Sequence, residues 1–129
     1  AQAGGFSGKI EKVIAGGPMM GIALYNLDAP VMKGTSGILA LDDKMARPVE
    51  ESACIRCGKC VMVCPIGLQP YLLDAYSDAD RFDEAEQNNV MDCIECGCCA
   101  YTCPANRHLV QAMRLAKCEI NNKRKACAK

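Results

Sequence analysis

A pattern of four cysteines and a proline, C-x2-C-x2-C-x3-C-P, occurs twice in this chain of 129 residues. Both copies also carry an isoleucine after the first cysteine and a glycine after the second. A repeat this strict requires each copy to fold into the same loop, so it constrains the structure more than any other feature. The residues of the pattern are Cys54, Cys57, Cys60, Cys64 and Pro65 in the first motif, and Cys93, Cys96, Cys99, Cys103 and Pro104 in the second.

This cysteine spacing predicts two 4Fe–4S clusters. Three closely spaced cysteines wrap a loop around one cluster, and the cysteine before the proline points away and ligates the other cluster. Because each motif then supplies one ligand to the cluster of the other motif, the two halves of the domain are linked through the clusters. The clusters are also kept close enough for fast electron exchange. We therefore expect cluster I to be bound by Cys54, Cys57, Cys60 and Cys103, and cluster II by Cys93, Cys96, Cys99 and Cys64.

Zinc and disulfides are the two alternatives for a chain with 11 cysteines. Zinc sites favour two well-separated C-x2-C pairs, whereas each motif here places four cysteines in one short loop that ends in proline. Disulfides are typical of secreted proteins, and the N-terminus has no basic-then-apolar signal segment. Because the chain begins Ala1-Gln2-Ala3 without a methionine, we interpret it as an internal piece of a longer protein or as a processed start.

The charge and aromatic content exclude several classes of function. Lys and Arg total 15 and Asp and Glu total 15, so no excess of positive charge favours nucleic acid or an anionic membrane surface. Aromatic residues make up 5% of the chain, which argues against base stacking. The apolar runs are shorter than the roughly 20 residues of a membrane span. The sequence has no Ser/His/Asp set, P-loop or G-x-G-x-x-G motif, so we predict no catalytic residue and no unaided dinucleotide binding.

The chain changes character near residue 50, and we predict an α+β fold with two domains. Residues 1–49 alternate short apolar runs with turn residues, which favours a small β-rich unit with strands in the runs 9–15, 19–25, 31–33 and 38–41. Residues 50–129 are predicted to be helical outside the motifs, with a helical connector over 69–92 and a clear helix after Asn106, a candidate N-cap. We expect the polar tail over 121–129 to fray.

Charge is balanced in total but not along the chain. Acidic residues dominate from Asp74 to Glu95, and basic residues dominate from Arg107 to Lys129. Two interpretations stay open: two solvated helix faces, or docking surfaces for redox partners, because complementary charge steers encounter. The acids are Asp74, Asp78, Asp80, Asp83, Glu84, Glu86, Asp92 and Glu95, and the bases are Arg107, Arg114, Lys117, Lys123, Arg124, Lys125 and Lys129.

The two motif loops also differ in charge. The first carries Arg56 and Lys59, whereas the second carries Glu95 with Asp92 beside it. Positive charge favours the reduced form of a cluster, because that form is the more negative one. The loop charges therefore predict the higher reduction potential at cluster I.

Several residues near the motifs have less specific interpretations. The three remaining cysteines are expected to be buried small apolar residues or free thiols, and His108 is expected to face solvent or cap a helix. The run Gly16-Gly17-Pro18 is either a tight turn between strands or a loop against the clusters or another domain. The remaining cysteines are Cys98, Cys118 and Cys127, and the apolar residues placed to exclude water from the clusters are Ile55, Val61 and Ile94.

Two strings outside the motifs carry a family resemblance. They are Val13-Ile-Ala-Gly-Gly-Pro-Met-Met-Gly-Ile-Ala-Leu and Lys33-Gly-Thr-Ser-Gly-Ile-Leu-Ala-Leu. Together with the second cysteine motif, they closely resemble the C subunit of the Rnf complex, the ion-translocating ferredoxin:NAD oxidoreductase of bacterial membranes. The resemblance implies that residues 1–49 are the end of a β-grasp (SLBB-type) domain with its following strands. It also implies that residues 50–129 form an α-helical ferredoxin domain, and the long connector between Cys64 and Cys93 supports this.

The resemblance further implies an electron-transfer role within an oxidoreductase. Family members carry an upstream domain that binds FMN and NADH, which this chain lacks, so the chain would hold only two 4Fe–4S clusters. Electrons would pass between that flavin site and partner subunits of a membrane-bound redox complex, with ferredoxin as a further partner. The expected location is the cytoplasmic side of the bacterial inner membrane, held peripherally by the other subunits.

Two other functions stay open at this point. The related flavin–iron–sulfur cobalamin reductase of bacterial microcompartments shares the architecture that the resemblance implies. The second is an interaction module, in which the metal only stabilises a small fold and carries no electrons. Metal content and the response to a reductant distinguish this module from an electron carrier.

Overall fold

A computed structural model describes residues 4–47 and 49–127, excluding the side chain of Cys127. The chain divides into two compact units, Ala1–Val49 and Glu50–Lys129. The first contains a small sheet and the second is helical, so the chain is of the mixed α+β class. Among the helices of the described residues, none combines the length and the apolar character needed to cross a membrane.

The first unit is built on a three-stranded antiparallel sheet. Strand β1 (Lys12–Ala15) lies between β2 (Ile22–Ala23) and β3 (Ile38–Leu41), and a short helix α1 (Asp43–Ala46) follows. Val13, on the central strand, is the one buried residue among those described in this unit. A core this thin is marginal by itself, because apolar burial must offset the entropy lost by ordering the chain.

The strand predicted over residues 31–33 is wrong, because this segment is a turn. The Met32 backbone N–H donates to the Thr35 hydroxyl at 3.2 Å, and the Thr35 N–H donates to the Met32 carbonyl at 3.0 Å. Local side-chain bonds of this kind compete with pairing in a sheet. Only Ile22 and Ala23 of the predicted run 19–25 pair as a strand.

The Gly16-Gly17-Pro18 run forms the turn that joins β1 to β2. Gly16 has a φ of +103°, a conformation that favours glycine. The turn is closed by a bond from the Gly21 N–H to the Gly17 carbonyl at 2.8 Å. The tight-turn interpretation of this run therefore describes its local structure.

We expect Gly21→Ala to destabilise this sheet. An added Cβ would lie 2.4 Å from Ile14 Cγ2 and 2.5 Å from the Gly17 carbonyl oxygen, and overpacking of this kind costs about 1–3 kcal/mol. Hydrogen exchange should show roughly tenfold or greater loss of protection at the β1 amides. Gly17→Ala is the matched control, because a Cβ there meets no atom within 4 Å. Equal protection in the two variants would contradict the packing seen at this turn.

The second unit is helical. Its elements are α2 (Lys59–Met62), α3 (Pro70–Asp78), α4 (Phe82–Gln87), a 3-10 turn (Val90–Asp92), α5 (Cys98–Thr102) and α6 (Leu109–Cys127). The longest helix, α6, lies against α3 and α4, and α2 lies against α5. The core between the helices contains Leu68, Leu73, Ala85, Val90, Met113, Ala116 and Ile120.

The helical connector is divided where the backbone turns left-handed. Asp80 and Asn89 have φ values of 54° and 61°, which end α3 and precede the 3-10 turn. The connector can therefore fold back along α6 rather than extend as one rod. This compact path places the two cysteine motifs in the same helical unit.

Helix α6 departs from the sequence prediction at both ends. Asn106 is not its cap: its φ is 52°, and its side-chain Nδ2 donates to the Glu50 carbonyl at 3.3 Å. The helical bonding begins at the His108 carbonyl, which accepts from the Ala112 N–H at 3.1 Å. At the other end the helix continues to Cys127, so the expected fraying of residues 121–127 is wrong, and residues 128–129 lie outside the described residues.

Candidate iron–sulfur centres

The two cysteine motifs fold into equivalent loops. Gly58 and Gly97 have φ values of 76° and 84° and lie immediately before α2 and α5. Two residues earlier, Arg56 and Glu95 are also left-handed, at 51° and 56°. Such a conformation is costly for a residue with a side chain, and its recurrence at equivalent positions shows that the loop requires it.

We call the first cavity site I. Its walls include three cysteines of the first motif and one of the second. The fourth wall cysteine, Cys103, comes from the end of α5. Site I is lined by Cys54, Cys57, Cys60 and Cys103, together with Ile55, Tyr71, Pro104, Arg107 and Leu109 among others.

We call the second cavity site II. Here three cysteines come from the second motif, and the fourth, Cys64, follows α2 of the first. Because α2 packs against α5, each short helix delivers its terminal cysteine to the opposite cavity. Site II is lined by Cys93, Cys96, Cys99 and Cys64, together with Leu68, Leu73, Val110 and Met113 among others.

The shape of these cavities fits a group larger than one ion. Zinc needs its sulfur ligands about 2.3 Å from the metal. Within residues 4–47 and 49–127, no three His, Cys, Asp or Glu side chains converge on a position for a single metal ion. Four cysteines spread around one cavity instead suit a cube of iron and sulfide, in which each thiolate binds a different iron.

Several of these thiols are buried enough to resist ionisation. Burial raises the pKa of Cys99 to about 11, and burial also raises the pKa of Cys60 and of Cys93. Iron must therefore displace protons to bind these sulfurs. The Glu95 backbone N–H already points at Cys93 Sγ, at 3.4 Å, and such bonds stabilise a charged thiolate.

The residues that shield the two cavities from water are not the ones predicted from the sequence. Ile55 and Ile94 line the two cavities, but they are 67% and 54% exposed, and Val61 is half-buried. The residues that close the inner walls instead come from helices: Leu109 at site I, and Leu73 and Met113 at site II are each 1% exposed. The helical spacing of these apolar residues predicted that they are buried in the core. It could not predict that they also line the cavities.

At site II, the loop acid Glu95 is bound by two bases of α6. Arg114 Nε donates to Glu95 Oε2 at 2.8 Å, and Lys117 Nζ donates to Glu95 Oε1 at 3.0 Å. The bond from Arg114, followed by that from Lys117, holds the pKa of Glu95 below its ordinary value. Lys117 also donates to the Cys93 carbonyl at 2.5 Å. The sequence analysis counted Glu95 as a charge of its loop, without these partners from α6.

At site I, Arg107 follows the second motif and lines the cavity. Its guanidinium contacts Glu51 at 3.0 Å, Asp74 at 2.7 Å, and Asp78. Asp74 is buried, with 4% of its surface exposed. This cluster escaped the sequence analysis because its acids are far from Arg107 along the chain.

The acidic and basic segments pair with each other. Lys123 of α6 contacts Asp83 of α4 at 2.6 Å, and Arg124 contacts Glu86. These pairs hold the end of α6 against α4, and they weaken the interpretation of both segments as open docking surfaces. Lys129, the last base of that set, lies outside the described residues.

The residues outside the ligand sets are dispersed. Cys98 is half-buried at the start of α5, and Cys118 is exposed on α6, while the side chain of Cys127 lies outside what the structure describes. His108 is exposed, and its backbone N–H donates to Glu51 Oε1 at 3.4 Å. The expectation that His108 faces solvent agrees with this position.

Comparison with known proteins places the cysteine motifs in a recognised domain. Residues 47–104 match the family model described as a 4Fe-4S dicluster domain. The chain is 60% identical over 92% of its length to the C subunit of the Na(+)-translocating ferredoxin:NAD(+) oxidoreductase complex of Acetobacterium woodii, covering 27% of that protein.

Other curated relatives carry corresponding names. The chain is 53% identical over 90% of its length to the C subunit of the proton-translocating ferredoxin:NAD(+) oxidoreductase complex of Clostridium ljungdahlii, covering 26% of it. It is 46% identical over 95% of its length to the C subunit of the ion-translocating oxidoreductase complex of Rhodobacter capsulatus, covering 24%. The chain thus spans about a quarter of the length of these relatives. Over that quarter, the chain is similar to the C subunits of ion-translocating ferredoxin:NAD oxidoreductase complexes.

Proposed function

We propose that this chain is an electron-transfer module that holds two 4Fe–4S clusters within an ion-translocating ferredoxin:NAD oxidoreductase. The observation that carries the proposal is the pair of four-cysteine cavities in one helical unit, each completed by a cysteine from the other motif. Each bound cluster supplies one-electron redox chemistry. The chain's own residues supply the thiolates, the crossed connection and the apolar inner walls.

The ligand assignment follows the cavity linings. Site I would bind its cluster through Cys54, Cys57, Cys60 and Cys103, and site II through Cys93, Cys96, Cys99 and Cys64. The left-handed residues of each loop turn the three neighbouring cysteines toward one cavity. Three thiolates of each motif can therefore bind the same cluster.

The wider assembly follows from the family. FMN and NADH would bind an upstream domain of the complete protein, and the three-stranded sheet would be the end of a β-grasp domain. Partner subunits, and ferredoxin in turn, would exchange electrons with the clusters. The protein would lie on the cytoplasmic side of the membrane, held there by other subunits.

An electron-exchange assay tests this function. The full chain, reconstituted anaerobically with iron and sulfide, is mixed with reduced bacterial ferredoxin and then with oxidised FMN, so that electrons run from the lower to the higher potential. We expect the visible absorbance of the clusters to bleach with the first reagent and to return with the second. Cob(II)alamin as the acceptor tests the cobalamin reductase alternative. A protein that binds metal but exchanges no electrons with either acceptor would instead be a metal-stapled interaction module.

A further inference from the structure

One lysine of α6 holds both ends of a short segment in the site II loop. Lys117 Nζ donates to the Cys93 carbonyl at 2.5 Å and to Glu95 Oε1 at 3.0 Å, and both acceptor residues line the cavity. The Lys117 side chain is only 18% exposed, so little water competes for these charge-assisted bonds. The backbone and the side chain of this segment are therefore fastened to the same point of α6.

The segment needs this support because Glu95 has a left-handed backbone. Its φ is 56°, a conformation that is costly for a residue with a side chain. In this conformation the Glu95 N–H donates to Sγ of Cys93, at 3.4 Å. The Glu95 carboxylate, besides its bond to Lys117, accepts from Arg114 Nε at 2.8 Å. Contacts that fix this side chain therefore also fix the backbone that bonds to a sulfur of the ligand set.

The first loop has no corresponding tie at its own left-handed residue. Arg56 occupies the equivalent position, with a φ of 51°, and is exposed. Its side chain makes no hydrogen bond or ion pair with any residue that the structure describes. The contacts with α6 therefore distinguish the two loops at this position.

On the basis of the proposed function, we propose that Lys117 is a positioning residue for the cluster of site II. By binding the Glu95 carboxylate and the Cys93 carbonyl, it holds the left-handed turn in which the Cys93 sulfur lines the cavity. A loop fixed in this way retains its cluster longer than a loop that is free to leave the left-handed form. Lys117 acts through these two residues and has no corresponding role at site I.

Iron release to an excess of a ferrous chelator, under anaerobic conditions, tests this role in the reconstituted full chain. Lys117→Met should speed the release of about four of about eight irons roughly tenfold, because two charge-assisted bonds are lost. The other half should leave at the unmodified rate. Lys117→Arg keeps the positive donor and should restore most of the slow release. Lys125→Met, which removes an exposed lysine of α6, should change nothing.

Chains with a single loaded site identify which half of the iron is released faster. Cys57→Ala removes a ligand of site I, and Cys64→Ala removes a ligand of site II. Lys117→Met should speed release from the Cys57→Ala chain and should leave release from the Cys64→Ala chain unchanged. In that second chain, a loaded site I also shows that the helical unit still folds when Lys117 is replaced.

A pair of substitutions at Glu95 separates positioning from a general loss of charge. Glu95→Ala and Glu95→Gly both remove the carboxylate, but only glycine adopts a left-handed backbone at little cost. Glu95→Ala should therefore release the iron of site II at least about threefold faster than Glu95→Gly.

The outcomes separate this inference from the function on which it rests. Unchanged release in Lys117→Met, faster release at both sites, or equal release in the two Glu95 variants would overturn the inference alone, as would a Lys117→Met chain that loads neither site. A Lys117→Met chain that loads site I but not site II would support it. An unmodified chain that takes up no iron and sulfide would overturn the proposed function and the inference with it.

Discussion

We expect Cys64→Ala to remove the cluster of site II and to leave that of site I in place, although Cys64 belongs to the first motif. The reason is that Cys64 lines the cavity formed by the second motif, because α2 ends against α5. Iron and acid-labile sulfide should fall from about eight to about four per chain. Cys118→Ala, which removes an exposed cysteine on α6, should retain the full content.

Paired substitutions identify which site is lost. Cys64→Ala combined with Cys96→Ala removes two ligands of site II, so about four irons should remain. Cys64→Ala combined with Cys57→Ala removes one ligand from each site, so both clusters should be lost. The opposite pattern would mean that each motif binds its own cluster with all four cysteines, which would contradict the crossed assignment.

Arg107→Gln should cost about 3–5 kcal/mol of unfolding free energy, because it removes the cation paired with a buried acid. Asp74 is 4% exposed, and Arg107 Nε donates to Asp74 Oδ2 at 2.9 Å. Urea unfolding of the cluster-loaded chain measures the cost. The double variant Asp74→Asn with Arg107→Gln should recover much of it, because no charge is then left buried. If the double variant is as unstable as Arg107→Gln alone, the guanidinium acts through packing rather than charge.

This loss of stability should also depend on pH. Burial raises the pKa of Asp74, and Arg107 opposes that rise, so Arg107→Gln should raise the pKa further. A carboxyl whose pKa is higher in the folded than in the unfolded state loses stability as pH rises through the folded value. The cost of Arg107→Gln should therefore grow as the pH rises above about 4, the ordinary pKa of an aspartate, toward the raised folded value. A cost that stays constant over this range would show that Asp74 is not the group left unpaired.

The sequence was most informative where chemistry fixes the spacing. The cysteine pattern predicted the four-cysteine groups that line each cavity, because a loop around a cluster admits few spacings. The apolar periodicity also predicted the final helix. Its start was missed because the Asn106 side chain bonds the Glu50 carbonyl instead of capping the helix.

Contacts between segments far apart in the chain could not be predicted in this way. Glu95 was visible in its loop, but its pairing with Lys117 depends on how α6 crosses that loop. Likewise, the acids of α4 and the bases of α6 neutralise each other only once the helices pack side by side. Charge counted along the chain therefore misses the bases that bind Glu95 at site II.

The central claim is that this chain binds two redox-active 4Fe–4S clusters. The most direct measurement is the iron, sulfide and zinc content of anaerobically purified protein, with EPR spectra before and after dithionite. Our account predicts about eight irons and eight sulfides per chain, with signals that appear only on reduction. Zinc in their place, or metal whose spectrum dithionite leaves unchanged, would contradict it.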